Sequence, residues 1–193
     1  MFSRLKTTAT IALVVTAVAS SAAAIANLVA SPAASNAAGS VANQATHSNT
    51  APEFIGIGKW LNSDPLTMQQ LRGKVVLVDF WTYTCINCIH VLPHVKSWNQ
   101  KYKDQGLVVV GVHTPEYSFE RDTDNVQKAI KRFGITYPVA QDNRYKTWSA
   151  YDNQYWPAFY LVDKKGRVVY THFGEGDYDQ TEAKIKALLA ENS

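Results

Sequence analysis

Only two of the 193 residues are cysteine, Cys85 and Cys88, half of the four ligands a structural zinc site wants. Acidic residues are missing altogether from residues 1–50, where Arg4 and Lys6 are the only Arg or Lys. Taking those two from the 19 Lys and Arg leaves 17 against 16 acidic side chains in residues 51–193. So even a balance gives no electrostatic case for nucleic acid or an anionic membrane surface. Internal repeats are missing too, as is any stretch of about 20 strongly apolar residues. What is present is a hydrophobic fraction of 46% with 11% aromatics. That is enough for a real core in one globular domain with extras, and it excludes disorder as the default.

Arg4 and Lys6 precede an apolar stretch beginning near Ile11, and Ala22-Ala23-Ala24 offers an Ala-x-Ala cleavage pattern. Residues 1–24 are therefore expected to be a signal peptide, with an uncleaved membrane anchor as the alternative. No cysteine lies near this segment, which argues against a lipoprotein. Residues 25–50 are expected to be a flexible linker: from Ser31 to Thr50 the chain has no aromatic residue and no acid, Lys or Arg. A folded domain is expected over 51–193, exported to the periplasm or another extracytoplasmic space.

Lys74 to Phe80 is a continuous β-branched apolar run, the pattern of a strand buried on both faces. Helical spacing from Ile89 to Lys103 follows, stopped by Gly106, and then a second strand, Leu107 to Val112. Asn125 to Phe133 reads as a helix closed by Gly134. Two further strands, from Ala158 and from Arg167, are joined by the turn Asp163-Lys164-Lys165-Gly166. A last helix starts near Asp179, with Asp179 and Glu182 spaced as a capping-box pair. Phe54 to Leu71 is expected to add an N-terminal hairpin. The whole predicts an α/β fold with a mixed sheet flanked by helices.

Cys85-Ile86-Asn87-Cys88 stands where the first strand meets the first helix. Unpaired N–H groups and the helix dipole at such a site favour thiolate over thiol. They lower a cysteine pKa from about 8.5 to roughly 3.5–7.5. This makes Cys85 the nucleophile and Cys88, one turn on, the resolving thiol. A purely structural disulfide is the plain alternative, but closing so tight a ring contributes only about 2 kcal/mol, against about 3 for a 15-residue loop. Covalent haem needs a histidine at position 89, which is Ile. His90 and His94 share a helix face, but Cys88 and His90 point apart, so both histidines read as surface or packing residues. Thr82-x-x-Cys85 has a peroxiredoxin-like spacing, but the proline such proteins carry upstream falls on Val78.

Val78-Asp79-Phe80-Trp81 before the dithiol, Pro93 after it and Tyr155-Trp156-Pro157-Ala158-Phe159 together resemble the thioredoxin superfamily. The long interval between Cys88 and Pro157 resembles the central insertion of its TlpA-like branch. Trp81 to Cys88, His113-Thr114-Pro115-Glu116-Tyr117 and Gly174-Glu175-Gly176-Asp177-Tyr178 are similar to the thioredoxin-like domain of DipZ-type proteins. The resemblance implies a thioredoxin fold over essentially residues 52–193, with no cofactor beyond the dithiol and no metal. It implies Asp79 and Glu116 as proton-handling acids, Pro157 as a cis-proline, and Trp81, Tyr83, Ile86, Trp156 and Pro157 as the substrate surface. The expected activity is reduction of disulfides in exported proteins. DipZ-type proteins fuse such a domain to a membrane electron conduit that this chain lacks, so a separate CcdA/DsbD-like membrane donor is expected. The alternatives are a disulfide oxidant on the same fold, a copper-binding module using Cys85, Cys88 and His113, and a peroxidase.

Overall fold

Seven consecutive buried residues, Val75–Trp81 (β2), form the centre of the sheet in the computed structural model, which describes residues 49–192. The expected signal peptide, 1–24, and nearly all of the expected linker, 25–50, lie outside the described residues. The remaining elements are β1 (Lys59–Leu61), α1 (Ile86–Tyr102), β3 (Leu107–His113), α2 (Thr123–Phe133), β4 (Val139–Gln141), α3 (Lys146–Ala150), β5 (Ala158–Val162), β6 (Val168–Phe173) and α4 (Tyr178–Ala190). Six strands lie in the order β1-β4-β3-β2-β5-β6. β2 pairs parallel with β3, and β3 with β4, whereas β1–β4, β2–β5 and β5–β6 are antiparallel.

Strand alternation splits the core in two. Val75, Leu77 and Trp81 face the layer of α1, α2 and α4, with Val91, Val95, Trp98, Val126 and Ile185 packed against them. Val76, Val78 and Phe80 face Met68, Leu71, Tyr151 and Tyr160 on the other side. Asp79 therefore belongs to the face that α1 covers. The segment between β3 and β5 supplies α2, β4 and α3, and β4 enters the sheet between β3 and β1.

Two expectations change. Phe54–Leu71 forms no hairpin: β1 pairs with β4 instead, and the Asn62 amide donates to the carbonyls of Ile135 (3.0 Å) and Tyr137 (3.1 Å), tying the segment to the approach to β4. Its second half turns where Glu53 accepts from the Met68 and Gln69 N–H groups. Asp179 and Glu182 form no capping box. Asp177 is the N-cap of α4, and Glu182 instead accepts from Trp98 Nε1, Lys101 and Tyr102 of α1. At the start of the described residues, the Asn49 carbonyl accepts from Val168 N–H at 2.7 Å.

Candidate active site

The chain leaves β2 at Trp81, turns through Thr82 to Thr84 and enters α1 with Cys85 as N-cap. The Cys85 sulfur accepts from the Cys88 N–H at 3.3 Å, as a capping oxygen would. Cys85 is half-buried and Cys88 is fully buried. The Cys88 thiol donates to Cys85, and this contact does most to bring the Cys85 pKa down to about 7. Partial burial opposes the shift, the N–H groups of Cys88 and Asn87 assist it, and the charge of Glu116 opposes it. Burial, together with commitment of its proton to Cys85, pushes the Cys88 thiol far above the ordinary thiol range. One sulfur is thus accessible and ready as thiolate, and the other is held back as thiol.

Asp79 lies on the α1 side of β2 with both carboxylate oxygens buried and no hydrogen-bond partner among the described residues. Burial, and secondarily the charge of Cys85, raise its pKa to about 8. Glu116 stands in the exposed loop after β3, close enough for its charge to bear on Cys85. Its backbone N–H, and that of Tyr117, donate to Glu120 at 2.6 and 2.9 Å. The Thr84 hydroxyl also donates to Glu120, so this buried carboxylate ties the loop before Cys85 to the loop after β3. Burial alone would raise the Glu120 pKa, but the hydrogen bonds from Thr84, Thr82 and the two backbone groups outweigh it and hold it below the ordinary value.

The Trp156–Pro157 peptide is cis. Trp156 Nε1 donates to the Thr114 carbonyl at 3.0 Å, and the Pro157 carbonyl accepts from Gly174 N–H at 2.9 Å. Ile86 is 59% exposed beside Cys85, whereas Tyr83 is nearly buried with its hydroxyl donating to the Phe119 carbonyl. Trp81 is only 1% exposed, so the role of substrate contact does not fit it; it packs edge-on against His113 inside the core. His90 reaches Glu175 at 3.1 Å and His94 stacks on Tyr178, which makes both packing residues of α1. His113 is fully buried and stacked on Tyr83, with Nε2 at 3.3 Å from Thr82 Oγ1. Burial lowers its pKa to about 4 although the Glu120 charge pulls upward. Sequence reading missed Glu120, Tyr137 and the exposed stacked pair Tyr117 and Phe119. Tyr117-x-x-Glu120 lacks the Ser or Thr of a capping box, so no local pattern marked Glu120. For Tyr137, nothing local gave a sign.

An accessible thiolate at a helix N-terminus, a buried partner thiol and a cis-proline at the entry to β5 define a thioredoxin-fold thiol–disulfide oxidoreductase. The chain belongs to the Redoxin family, whose model matches residues 46–189. Protein DipZ of Mycobacterium tuberculosis is 53% identical over 151 residues, covering 77% of this chain and 22% of DipZ, so the chain spans about a fifth of that relative's length. The thiol-disulfide oxidoreductase YkuV of Bacillus subtilis is 33% identical, over 72% of this chain and 94% of YkuV. Among solved structures, a thiol-disulfide isomerase from Corynebacterium glutamicum is 26% identical with a TM-score of 0.66, over 74% of this chain and 98% of that one.

Proposed function

We propose that the protein is an exported reductase of protein disulfides. The observation that carries this reading is the asymmetry of the dithiol, with Cys85 half-exposed and its pKa near 7 while Cys88 is buried and keeps its proton. The Cys85 thiolate attacks a substrate disulfide, forming a mixed disulfide and releasing one substrate thiolate. Cys88 then gives its proton to Asp79, with Glu116 as the outer acid, and attacks Cys85 Sγ. The second substrate sulfur leaves as thiolate, and the Cys85–Cys88 disulfide remains. Ile86, Tyr83, Trp156 and Pro157 form the surface on which the substrate chain lies, and no cofactor beyond the dithiol takes part.

Export rests on the leader expected over residues 1–24 and its linker. A reductase in an oxidising compartment needs a source of electrons, and a CcdA/DsbD-like membrane protein is the matching donor. Disulfide-bearing exported proteins are the matching substrates. Cys88→Ser removes the resolving thiol, so substrates are expected to stay covalently trapped on Cys85, and Cys85→Ser to trap none. Failure of Cys88→Ser to trap any partner while the wild type turns over overturns the assignment of roles. The direction is read from the equilibrium potential of the pair: near or below about −270 mV supports a reductase, and near about −120 mV an oxidant.

A further inference from the structure

Gly111 of β3 is the residue that pairs with Asp79 across the β2–β3 ladder. A Cβ at Gly111 would stand 2.9 Å from Trp81 Nε1 and 3.1 Å from Tyr137 Cε2. Only glycine lets both rings close over the ladder at this point. Each ring is 1% exposed. Trp81 Nε1, the Tyr137 hydroxyl and both Asp79 oxygens are buried, and none has a direct hydrogen-bond partner among the described residues. The Tyr137 hydroxyl also feels charge on Asp79 and on Cys88, after the larger effect of burial, and all three keep it a protonated donor.

Native interiors leave few polar atoms unpaired. Here the unpaired set is complementary: the indole N–H and the phenol O–H are donors, the Asp79 carboxylate is an acceptor, and both rings lie against Gly111, the ladder partner of Asp79. An internal water is held where two to four otherwise unpaired buried polar groups converge. We infer that Tyr137 is a positioning residue for the resolving step, its hydroxyl solvating the Asp79 carboxylate through one internal water that the Trp81 N–H shares. In that step the Cys88 proton passes to Asp79, the Cys88 sulfur bonds to Cys85 Sγ, and the bond from Cys85 to the substrate sulfur breaks. Tyr137 loses no proton. It stabilises the charged form of the base before the transfer.

The inference rests on Asp79 as the proton acceptor of Cys88, and the test separates the two. Release of the second thiol from a disulfide-bonded reporter peptide is followed against pH in the wild type, Tyr137→Phe, Asp79→Asn and the double variant. Iodoacetamide alkylation of Cys85 serves as the control. Losing the hydroxyl raises the Asp79 pKa, so Tyr137→Phe is expected to move the midpoint of release up by about one pH unit, leaving the plateau and the alkylation profile in place. In Asp79→Asn that limb disappears and Tyr137→Phe becomes silent. The Asp79 carboxyl stretch, titrated by infrared difference spectroscopy, is expected to follow the same upward shift. If Asp79→Asn removes the limb but Tyr137→Phe moves neither midpoint, the positioning role is overturned and the base survives. If Asp79→Asn leaves the limb intact, the base fails and the inference with it. A Tyr137→Phe protein that only melts earlier, with both midpoints fixed, also overturns the inference.

Discussion

Asp79 and Glu120 are two carboxylates with no exposed surface, within one domain and near one dithiol, yet they end in opposite electrostatic states. Asp79 has no direct partner and burial lifts its pKa to about 8. Glu120 is encircled by the Thr84 hydroxyl and the N–H groups of Glu116 and Tyr117, and its pKa falls below the ordinary value despite burial. Burial alone does not decide what a buried acid does; the donors around it decide. A carboxyl kept without direct donors can exchange a proton near neutral pH, which is what the proposed resolving step asks of Asp79. One saturated with donors is a fixed anion that holds two loops together. The position of each follows from its element. β2 is paired on both sides, so the strand N–H groups beside Asp79 are committed to the ladder. The loop after β3 has N–H groups to spare, and Glu120 collects them.

The sharpest way to break this comparison is Asp79→Asn. The folded pKa of Asp79 lies above its unfolded value, so its contribution to stability is complete below about pH 4 and is lost as pH rises through about 8. The neutral amide escapes that loss and is expected to gain on the order of 4 kcal/mol at pH 8, read by denaturant titration. The same change should slow the resolving step about 100-fold at pH 7. Equal stability of variant and wild type at pH 8 would show that burial does not raise the Asp79 pKa in the folded protein. His113 supplies the second effect. Its folded pKa, about 4, lies below the unfolded value, so its contribution is complete above about pH 6.5 and lost as pH falls through 4. In the wild type the two slopes oppose one another across that window. In Asp79→Asn the acid limb should stand alone, costing about 3 kcal/mol between pH 6.5 and 4. His113→Phe in that background should flatten it.

Much of this site was legible before the structure, because local chain features set it. The apolar run into Cys85 fixes β2, and the junction with α1 fixes which sulfur sits at the helix end. The turn at Asp163 is equally local, since its carboxylate accepts from the N–H groups of Lys165 and Arg167. The illegible parts depend on partners far along the chain. β4 has three residues and α3 five, too short for any period to show. The N-terminal hairpin failed because β1 finds its partner about eighty residues on, in β4. Glu182 was read as a local cap, whereas it pins α4 to α1. Tyr137 matters only because β3 brings Gly111 beside Asp79, a register that no motif announces.

Glu120→Gln tests the other side of the comparison and should have the opposite sign on stability. The amide keeps one acceptor but sets an NH2 group against donors, and the charge is lost. A destabilisation of about 2 kcal/mol is expected, within the range for hydrogen bonds to charged groups. Its folded pKa lies below the ordinary value, so the wild-type advantage should be complete above about pH 4.5 and fade as pH falls. An equal cost at pH 3 and pH 7 would mean that shape, not charge, holds the loops.

The smallest and most selective change is Thr84→Val, which keeps the side-chain shape and removes one donor to Glu120. Thr84 is at the surface and the backbone donors of Glu116 and Tyr117 remain, so about 1 kcal/mol of stability should be lost. In the Glu120→Gln background most of that cost should vanish, a coupling that a double-mutant cycle measures directly. Thr84 directly precedes the nucleophile, so a fall in reactivity is the obvious guess. The groups that favour the Cys85 thiolate are the Cys88 thiol and the N–H groups of Cys88 and Asn87, all on α1. Its alkylation profile should therefore stay centred near pH 7 while the protein melts earlier. A shift of that midpoint would mean that the Glu120 corner tunes the dithiol as well as bracing it, and the division of labour between the two buried acids would fall.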